Sequence, residues 1–309
     1  MTLFPAWVRT CVPALLLTGM LAGCASVDRS AGTAPPQSWD AFKQRRAVSI
    51  AGTNGWATLV GLLWMEEGRH VLGSGPTATL HLPAGRAPEV VGELVRTGRT
   101  VKFTAAPGVS THLHDAGADS SLLSPVTETN DPPILQVGDL RMFVIYRGPR
   151  VALRVKDPLA PTRVHFKGLE YFPYSETMKV VGKLEAPAKG RMIQIADVTG
   201  AVTPTPSAGV VRFKLHGVEQ TLEATEDDET HDLWFVFRDG TSGKSTYGGG
   251  RFLHAPMPSA DGSVVLDFNF AYTPPCAFTP FATCPVPPRQ NWLTVAIPAG
   301  ERKYAGGHE

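Results

Sequence analysis

Polar and apolar residues alternate with a period of two along most of this chain, in short runs bounded by glycine, proline, asparagine and aspartate. Such runs are typical of half-buried β-strands. Many short strands at this spacing predict an all-β fold, either a sandwich or a barrel. The runs lie at 71–72, 79–82, 100–103, 142–146, 151–155, 192–195, 210–215, 233–237, 264–270 and 293–297.

Helical spacing is convincing in one segment near the N-terminus. Trp39, Phe42 and Arg46 recur at the spacing of one helix face. Ser38 precedes them and is a favourable N-cap residue. The pattern predicts one short helix that ends near Ile50.

Turn-forming residues indicate how the strands are connected. The runs 211–215 and 218–222 flank the dipeptide His216-Gly217, which predicts a β-hairpin. The prolines within 158–161 indicate a joint between two halves of the chain.

The N-terminus has the pattern of a bacterial lipoprotein signal. Arg9 precedes the apolar run 14–21, which is too short to span a bilayer, and Leu-Ala-Gly-Cys at 21–24 follows. We expect cleavage after residue 23 and lipidation of Cys24, hence a lipid-anchored protein of the cell envelope, on the outer membrane facing the periplasm. The alternative is an ordinary signal peptide that contains a cysteine. Residues 24–37 are predicted to be a flexible tether.

The charge balance argues against nucleic acid as a partner. The chain has 29 basic and 28 acidic residues, and segment 1–23 contains Arg9 and no acidic residue. The remaining chain is therefore neutral, with 29 − 1 = 28 basic residues against 28 acidic ones. Nucleic-acid binding would require a basic face.

Cys276 and Cys284 are the two cysteines that remain after the N-terminal segment. In an oxidising compartment their proximity predicts a disulfide. It would close a loop of about nine residues and contribute roughly 2–3 kcal/mol. A two-thiolate metal site is the alternative, although no histidine lies near them at the required spacing.

Motifs for nucleotide, metal and serine-hydrolase chemistry are absent from the sequence. Residues 240–245 resemble a phosphate-binding loop, but Arg238 occupies the position of its first glycine. No nucleophile elbow and no zinc-protease helix occurs. His112 and His114, with Asp115, would share a strand face as metal ligands, but a solvated polar face is favoured because no third ligand is identifiable. We therefore predict no cofactor and no metal.

A basic segment at 147–156 has two interpretations. Arg150 and Arg154 share one face of the predicted strand, and Arg147 precedes them. They form either the exposed face of a half-buried strand or a clamp for an anion, because arginine binds carboxylate and phosphate in a bidentate manner.

A second polar group lies in the C-terminal part of the chain, where prolines and the predicted disulfide stiffen the loops. Asp267 and Asn269 share one face of a predicted strand, and Asp267 is placed to pair with Arg251 as a structural pin or as part of a ligand site. The group comprises Asp239, Tyr247, Arg251, Asp267, Asn269 and Asn291.

The sequence resembles the uncharacterised family called domain of unknown function 1684, over about 39–301. The resemblance is carried by Trp56, Gly61–Trp64, Glu67-Gly68, Gly73-Ser74, Arg147–Asp157, Phe166–Leu169, Phe172-Pro173, Thr246–Leu253, Asp267–Asn269, Pro275-Cys276, Cys284-Pro285, Pro288, Asn291 and Gly300-Glu301. It implies no activity. It does imply a shared site of Arg147, Arg154, Tyr247, Arg251, Asp267, Asn269 and Asn291.

Part of the first half is similar to a forkhead-associated β-sandwich, over about 66–146. The similarity rests on 68–74, 79–82 and 135–139. Ser74 and Gly92 stand where the phosphothreonine-reading arginine and histidine of that family are expected. The resemblance therefore implies the fold and not phosphopeptide binding.

Together these patterns predict two packed β-sandwich or barrel-like modules with one short N-terminal helix. The helix and chain entry occupy 38–54, the first module 55–146, the second 147–301, and 302–309 form a tail.

Two classes of function remain open. The first is binding of a small anion, a glycan or an envelope protein by the arginines and the Asp/Asn group. The second is a hydrolase in which Asp267 is the general acid or base. Asn269 and Asn291 would then orient the substrate, while Tyr247 and Arg251 would stabilise negative charge.

Overall fold

The computed structural model describes residues 38–114, 121–123 and 132–306. The predicted signal and tether, with Cys24, lie outside the described residues, and so do Asp115 and residues 307–309. No helix in the described part of the chain is long and apolar enough to cross a membrane.

The described residues form an all-β fold with little helix, which confirms the predicted fold class. Two α-helices are present, α1 (Trp39–Ala51) and α2 (Pro161–Val164). The strands are β1 (Leu59–Met65), β2 (Gly68–Gly73), β3 (Leu80–His81), β4 (Gly92–Thr97), β5 (Thr100–Ala105), β6 (His112–His114), β7 (Ile134–Val137), β8 (Leu140–Arg147), β9 (Arg150–Lys156), β10 (Lys179–Glu185), β11 (Met192–Ala196), β12 (Val202–Pro206), β13 (Gly209–Leu215), β14 (Val218–Glu226), β15 (Leu233–Phe237), β16 (Arg251–Ala255) and β17 (Ser263–Asp267).

Two sheets of the first half face each other across one apolar core. One has the strand order β1-β9-β8-β7-β6 and the other β3-β2-β4-β5. Leu72 and Leu94 of the smaller sheet pack in the same cluster as Leu135 and Leu153 of the larger one, and all four are fully buried. This arrangement is a β-sandwich.

The larger sheet continues past residue 146, where the sequence suggested a boundary between modules. β9 pairs with both β1 and β8, and Arg147 and Arg150 form the last pair of the β8–β9 hairpin. The strand pairing therefore places the end of the first sandwich near Lys156.

The second half contains a six-stranded sheet with the order β16-β15-β14-β13-β10-β17 and a two-stranded sheet of β11 and β12. Its core contains the fully buried rings of Phe235, Phe237 and Phe268. The predicted hairpin is confirmed, because Leu215 pairs with Val218 and His216 has a positive φ of 50° at the turn.

Two predicted strands of the second half differ from the structure. The run 264–270 leaves the sheet after Asp267, whose carboxylate accepts a hydrogen bond from Asn269 N at 3.1 Å and starts the 3-10 helix Phe268–Phe270. The run 293–297 forms no strand, since its backbone bonds to the loop at Arg238 and Gly240 instead.

Helix α1 begins and ends as its sequence predicts. Ser38 Oγ accepts a hydrogen bond from Ala41 N at 3.2 Å, and Phe42, Arg46 and Ile50 form the buried face. Arg46 Nε donates to Glu301 Oε1 at 2.6 Å, so the helix is tied to the last part of the described chain.

Candidate functional site

Two arginines of the larger first-half sheet converge on one hydroxyl group. Arg147 Nε donates to Thr283 Oγ1 at 2.7 Å, and Arg154 Nη2 donates to the same oxygen at 3.2 Å. Arg147 is the last residue of β8, and Arg154 lies within β9, so paired strands fix both backbones. The structure therefore brings together two of the arginines of the predicted anion clamp, with a threonine that the sequence analysis did not single out.

The positive charges of Arg147 and Arg154 are partly or fully buried and have few acidic neighbours. Arg154 is 6% exposed, and its Nε has no hydrogen-bond partner. Among the described residues Arg154 has no acidic partner, whereas Arg147 Nε lies 3.8 Å from Asp197 Oδ2. Burial and then the neighbouring Arg147 lower the pKa of Arg154 to about 10, and burial also lowers the pKa of Arg147 despite Asp197.

The disulfide loop positions the shared threonine. Cys276 and Cys284 form a disulfide with their Cα atoms 6.1 Å apart, which confirms the predicted bond. Each cysteine N–H donates to the sulfur of the other, at 3.1 and 3.3 Å, and Val198 N donates to Cys284 O at 3.0 Å. Thr283 precedes Cys284 directly, so its hydroxyl is held against the two arginines by a closed loop with little freedom.

Aromatic rings and a second cation surround Arg154. Its guanidinium lies 5.5 Å from the ring centre of Trp56 and 5.9 Å from that of Phe143. Lys156 Nζ donates to Asn54 O at 2.7 Å on the same sheet face. Burial and then the charge of Arg154 lower the pKa of Lys156 to about 8, so another cation faces this side of the sheet without an acidic partner.

Arg150 does not join this group. Its guanidinium stacks 3.6 Å from the ring centre of Trp64 and donates weakly to Thr199 O at 3.4 Å. The residue is exposed. Of the three arginines in the predicted clamp, Arg147 and Arg154 share a partner, and Arg150 stands apart.

Arg251 pairs with Asp239 and not with Asp267, contrary to the pairing expected from the sequence. Arg251 Nη2 donates to Asp239 Oδ2 at 2.8 Å and to Ile297 O at 2.9 Å, and Nη1 donates to Ala299 O. Both side chains of the pair are 0% exposed. Burial lowers the pKa of Arg251, while Asp239 opposes this effect. The pair connects β16 to two loops of the second half.

Asp267 and Asn269 bond mainly to each other and to a neighbouring loop. Asn269 Nδ2 donates to Asp267 Oδ1 at 2.8 Å and to Ser175 O at 2.9 Å. Tyr174 Oη makes a long contact with Asp267 Oδ2 at 3.4 Å. These contacts hold the start of the 3-10 helix that follows β17.

Asn291 and Tyr247 lie in two further places. Asn291 is 1% exposed and accepts from Glu223 N at 2.8 Å while it donates to Glu223 O at 2.8 Å and Val236 O at 3.1 Å. It thereby joins β14 to β15. Tyr247 packs with Trp56 against the disulfide cluster. The six polar residues predicted in the C-terminal part thus belong to several separate contacts.

The histidine pair of β6 lies on one strand face as its spacing predicts. The rings of His112 and His114 are 4.5 Å apart, and His114 Nε2 lies 3.1 Å from Gln136 Oε1. No group of three or more metal-ligating side chains is found in the part of the chain that the structure describes.

The chain matches one family model, and that model carries no activity. The family is described as Protein of unknown function (DUF1684), and the match covers residues 164–302. The matched region includes Thr283 and the disulfide but not Arg147 or Arg154. No curated protein matches the chain.

A solved structure also matches. It is the solution NMR structure of an uncharacterized protein of Haloarcula marismortui, 31% identical, covering 48% of this chain and 84% of the other, with a TM-score of 0.40. Through residues 164–302, this chain belongs to the DUF1684 family of proteins of unknown function.

Proposed function

We propose that this protein binds a small oxyanion, a carboxylate or a phosphate, through Arg147, Arg154 and Thr283. The observation that carries the proposal is Arg154, a buried guanidinium with an unpartnered Nε and no described acidic partner. A buried charge is costly unless it is paired and hydrogen-bonded. An anion at this position would supply both the missing charge and the missing acceptor.

The chemistry of the group suits an oxyanion. Guanidinium groups donate in a rigid planar fork that matches the oxygens of carboxylates and phosphates. Thr283 already receives a hydrogen bond from each arginine, so its own O–H can be donated to a ligand oxygen. Arg147 is one-third exposed at its side chain, so one member of the group is open to solvent.

The N-terminal pattern supports an envelope location for this activity. We propose that Cys24 is lipidated and that the binding domain is tethered to the outer membrane, facing the periplasm. The oxyanion would then be a free solute or a terminal group of an envelope glycan or protein, since the same recognition serves each of them.

Hydrolysis is not part of the proposal. It would need Asp267 as acid or base, and that carboxylate accepts hydrogen bonds from Asn269 N and Nδ2 in a capping arrangement. Arg251, assigned to charge stabilisation in that scheme, is 0% exposed and engaged with Asp239.

Calorimetric titration of the intact protein with inorganic phosphate and with acetate tests the proposal. We compare wild type with Arg154→Met and with the matched control Arg150→Met, which removes an exposed arginine from the same strand. A lost charge-assisted hydrogen bond of roughly 1.5–3 kcal/mol predicts at least about tenfold weaker binding for Arg154→Met. Arg150→Met should bind within about twofold of wild type.

Two readouts decide the outcome. Arg154→Met should not lower thermal stability, because it removes a buried charge without an acidic partner, so a loss of binding would not reflect unfolding. Unchanged phosphate and acetate binding in Arg154→Met, or an equal loss in Arg150→Met, would refute the proposal.

A further inference from the structure

A cavity lies beside the 3-10 helix that carries Trp56. Its volume is about 220 Å³, and Ala57 forms part of its wall. Residues from α2, the disulfide loop and the C-terminal segment complete it, so it is built from parts of the chain that are distant in sequence. The cavity is separate from the arginine group, since neither Arg147 nor Arg154 lines it.

Aromatic rings define the shape of this cavity. Tyr304 stacks on Phe166 with ring centres 5.4 Å apart and an angle of 24° between the planes. Its ring centre lies 4.9 Å from that of Phe278, and Phe166 and Phe278 meet edge to face at 6.4 Å. Phe278 is only 3% exposed and anchors the group in the core. Such walls favour a flat ring in stacked or edge-to-face contact.

Two polar groups at the cavity already form hydrogen bonds within the protein. Thr162 Oγ1 donates to Ala57 O at 2.6 Å, and Tyr304 Oη accepts from Lys167 N at 3.2 Å. The side chain of His165 is exposed at the cavity mouth, and its imidazole makes no hydrogen bond with any described residue. A neutral imidazole offers one donor and one acceptor nitrogen, which matches the needs of a hydroxyl group.

The volume limits the size of the ligand. An apolar cavity of about 150 Å³ is known to hold benzene, so a cavity of about 220 Å³ accommodates one ring with a substituent. No acidic or strongly basic side chain lines the cavity, which favours a neutral ligand over an ion.

We propose that this cavity is a binding site for a neutral, single-ring aromatic molecule with a hydroxyl substituent, of the phenol class. The ring packs among Phe166, Phe278 and Tyr304, and the hydroxyl group bonds to the imidazole of His165. The inference does not depend on oxyanion binding at Arg154.

NMR titration of the intact protein with phenol tests this site, with cyclohexanol as the matched non-aromatic probe. Phenol should shift the ring resonances of Phe166, Phe278 and Tyr304 saturably. Aromatic contacts predict that phenol binds up to about tenfold more tightly than cyclohexanol, equivalent to 1.4 kcal/mol. Arg154→Met should leave the phenol affinity unchanged, which separates this site from the oxyanion site.

Two variants of the same bulk locate the site. His165→Trp places an indole at the cavity wall and should abolish the saturable shifts. Val164→Trp adds the same bulk at a neighbouring position that is 56% exposed and does not line the cavity, and it should bind phenol like wild type. Equal affinities for phenol and cyclohexanol, no saturable shift, or wild-type binding by His165→Trp would overturn the inference.

Discussion

The ion pair of Asp239 and Arg251 allows a sharp prediction about stability. In the structure, Asp239 Oδ1 accepts a hydrogen bond from Thr241 N at 2.7 Å. Asp239→Asn keeps nearly the same side-chain shape and an oxygen that can still accept this bond. The variant removes the charge opposite Arg251, which is 0% exposed and has no access to water. The guanidinium would then be a buried cation with only backbone carbonyls as acceptors.

Breaking a buried pair by removal of one partner costs about 3–5 kcal/mol, because the remaining charge is uncompensated. We therefore expect Asp239→Asn to lower the free energy of unfolding by this amount. Arg251→Met should cost a similar amount, since it strands the Asp239 carboxylate and frees the carbonyls of Ile297 and Ala299. The double variant leaves neither charge and should cost about 2–3 kcal/mol less than the sum of the two single variants.

Urea unfolding followed by tryptophan fluorescence measures these differences. The control is Asp261→Asn, which breaks the pair of Lys183 and Asp261 at 2.7 Å, where both side chains are more than half exposed. Exposed pairs contribute about 0–1 kcal/mol. If Asp239→Asn costs no more than Asp261→Asn, or if the two single changes simply add, the reasoning about the buried pair is wrong.

Three further predictions follow from the other buried contacts. Asn291→Ala leaves backbone groups of β14 and β15 without hydrogen-bond partners, so it should lower the free energy of unfolding by about 2–3 kcal/mol. The control Gln290→Ala changes an exposed neighbour and should cost less than about 1 kcal/mol in the same urea assay. Folding lowers the pKa of Lys156 from 10.5 to about 8, so between these values the unfolded chain binds more protons than the folded one. The free energy of unfolding should therefore rise from pH 8 to pH 10.5, by about 1–2 kcal/mol after screening by solvent. Lys156→Met should abolish this rise. The double variant Cys276→Ser with Cys284→Ser should lower the free energy of unfolding by roughly 2–3 kcal/mol. It should also weaken phosphate binding, because the loop no longer holds Thr283 in place. Unchanged phosphate affinity would show that the disulfide loop does not position the binding site.

Local signals in the sequence predicted the local structure well. A cap residue and helical spacing placed α1, a turn dipeptide placed the β13–β14 hairpin, and two nearby cysteines placed the disulfide. Each of these features depends on residues within about one turn or one loop of each other, so the chain itself limits the alternatives.

The end of one strand and the partner of one buried arginine were harder to predict. Period two placed Asp267 and Asn269 on one face but did not reveal that Asp267 ends its strand by bonding to Asn269 N. The acidic partner of Arg251 is Asp239. The same guanidinium also donates to the carbonyls of a second loop, 46 and 48 residues further along the chain. Alternation in sequence carries no information on such loop geometry.

The candidate sites show the same division. The two arginines were identified, together with Arg150, because they form a basic segment and arginine binds carboxylate and phosphate in a bidentate manner. Thr283 was missed, since a single threonine in a proline-rich loop has no distinguishing pattern. The aromatic cavity was also missed because its rings come from residues 166, 278 and 304, and only the fold brings them together.

The bond between Arg46 and Glu301 has a consequence for the timing of folding. The two residues are 255 positions apart, and Glu301 also accepts from Thr273 N at 2.8 Å. A chain emerging from its N-terminus presents α1 long before Glu301 exists, and contacts of such separation form slowly. Phe42 on the same helix packs on the ring of Phe270, which also comes late in the chain. The apolar face of α1 is therefore incompletely covered until residue 270 has been made, and a chain stopped before that point would expose part of it to chaperones and proteases.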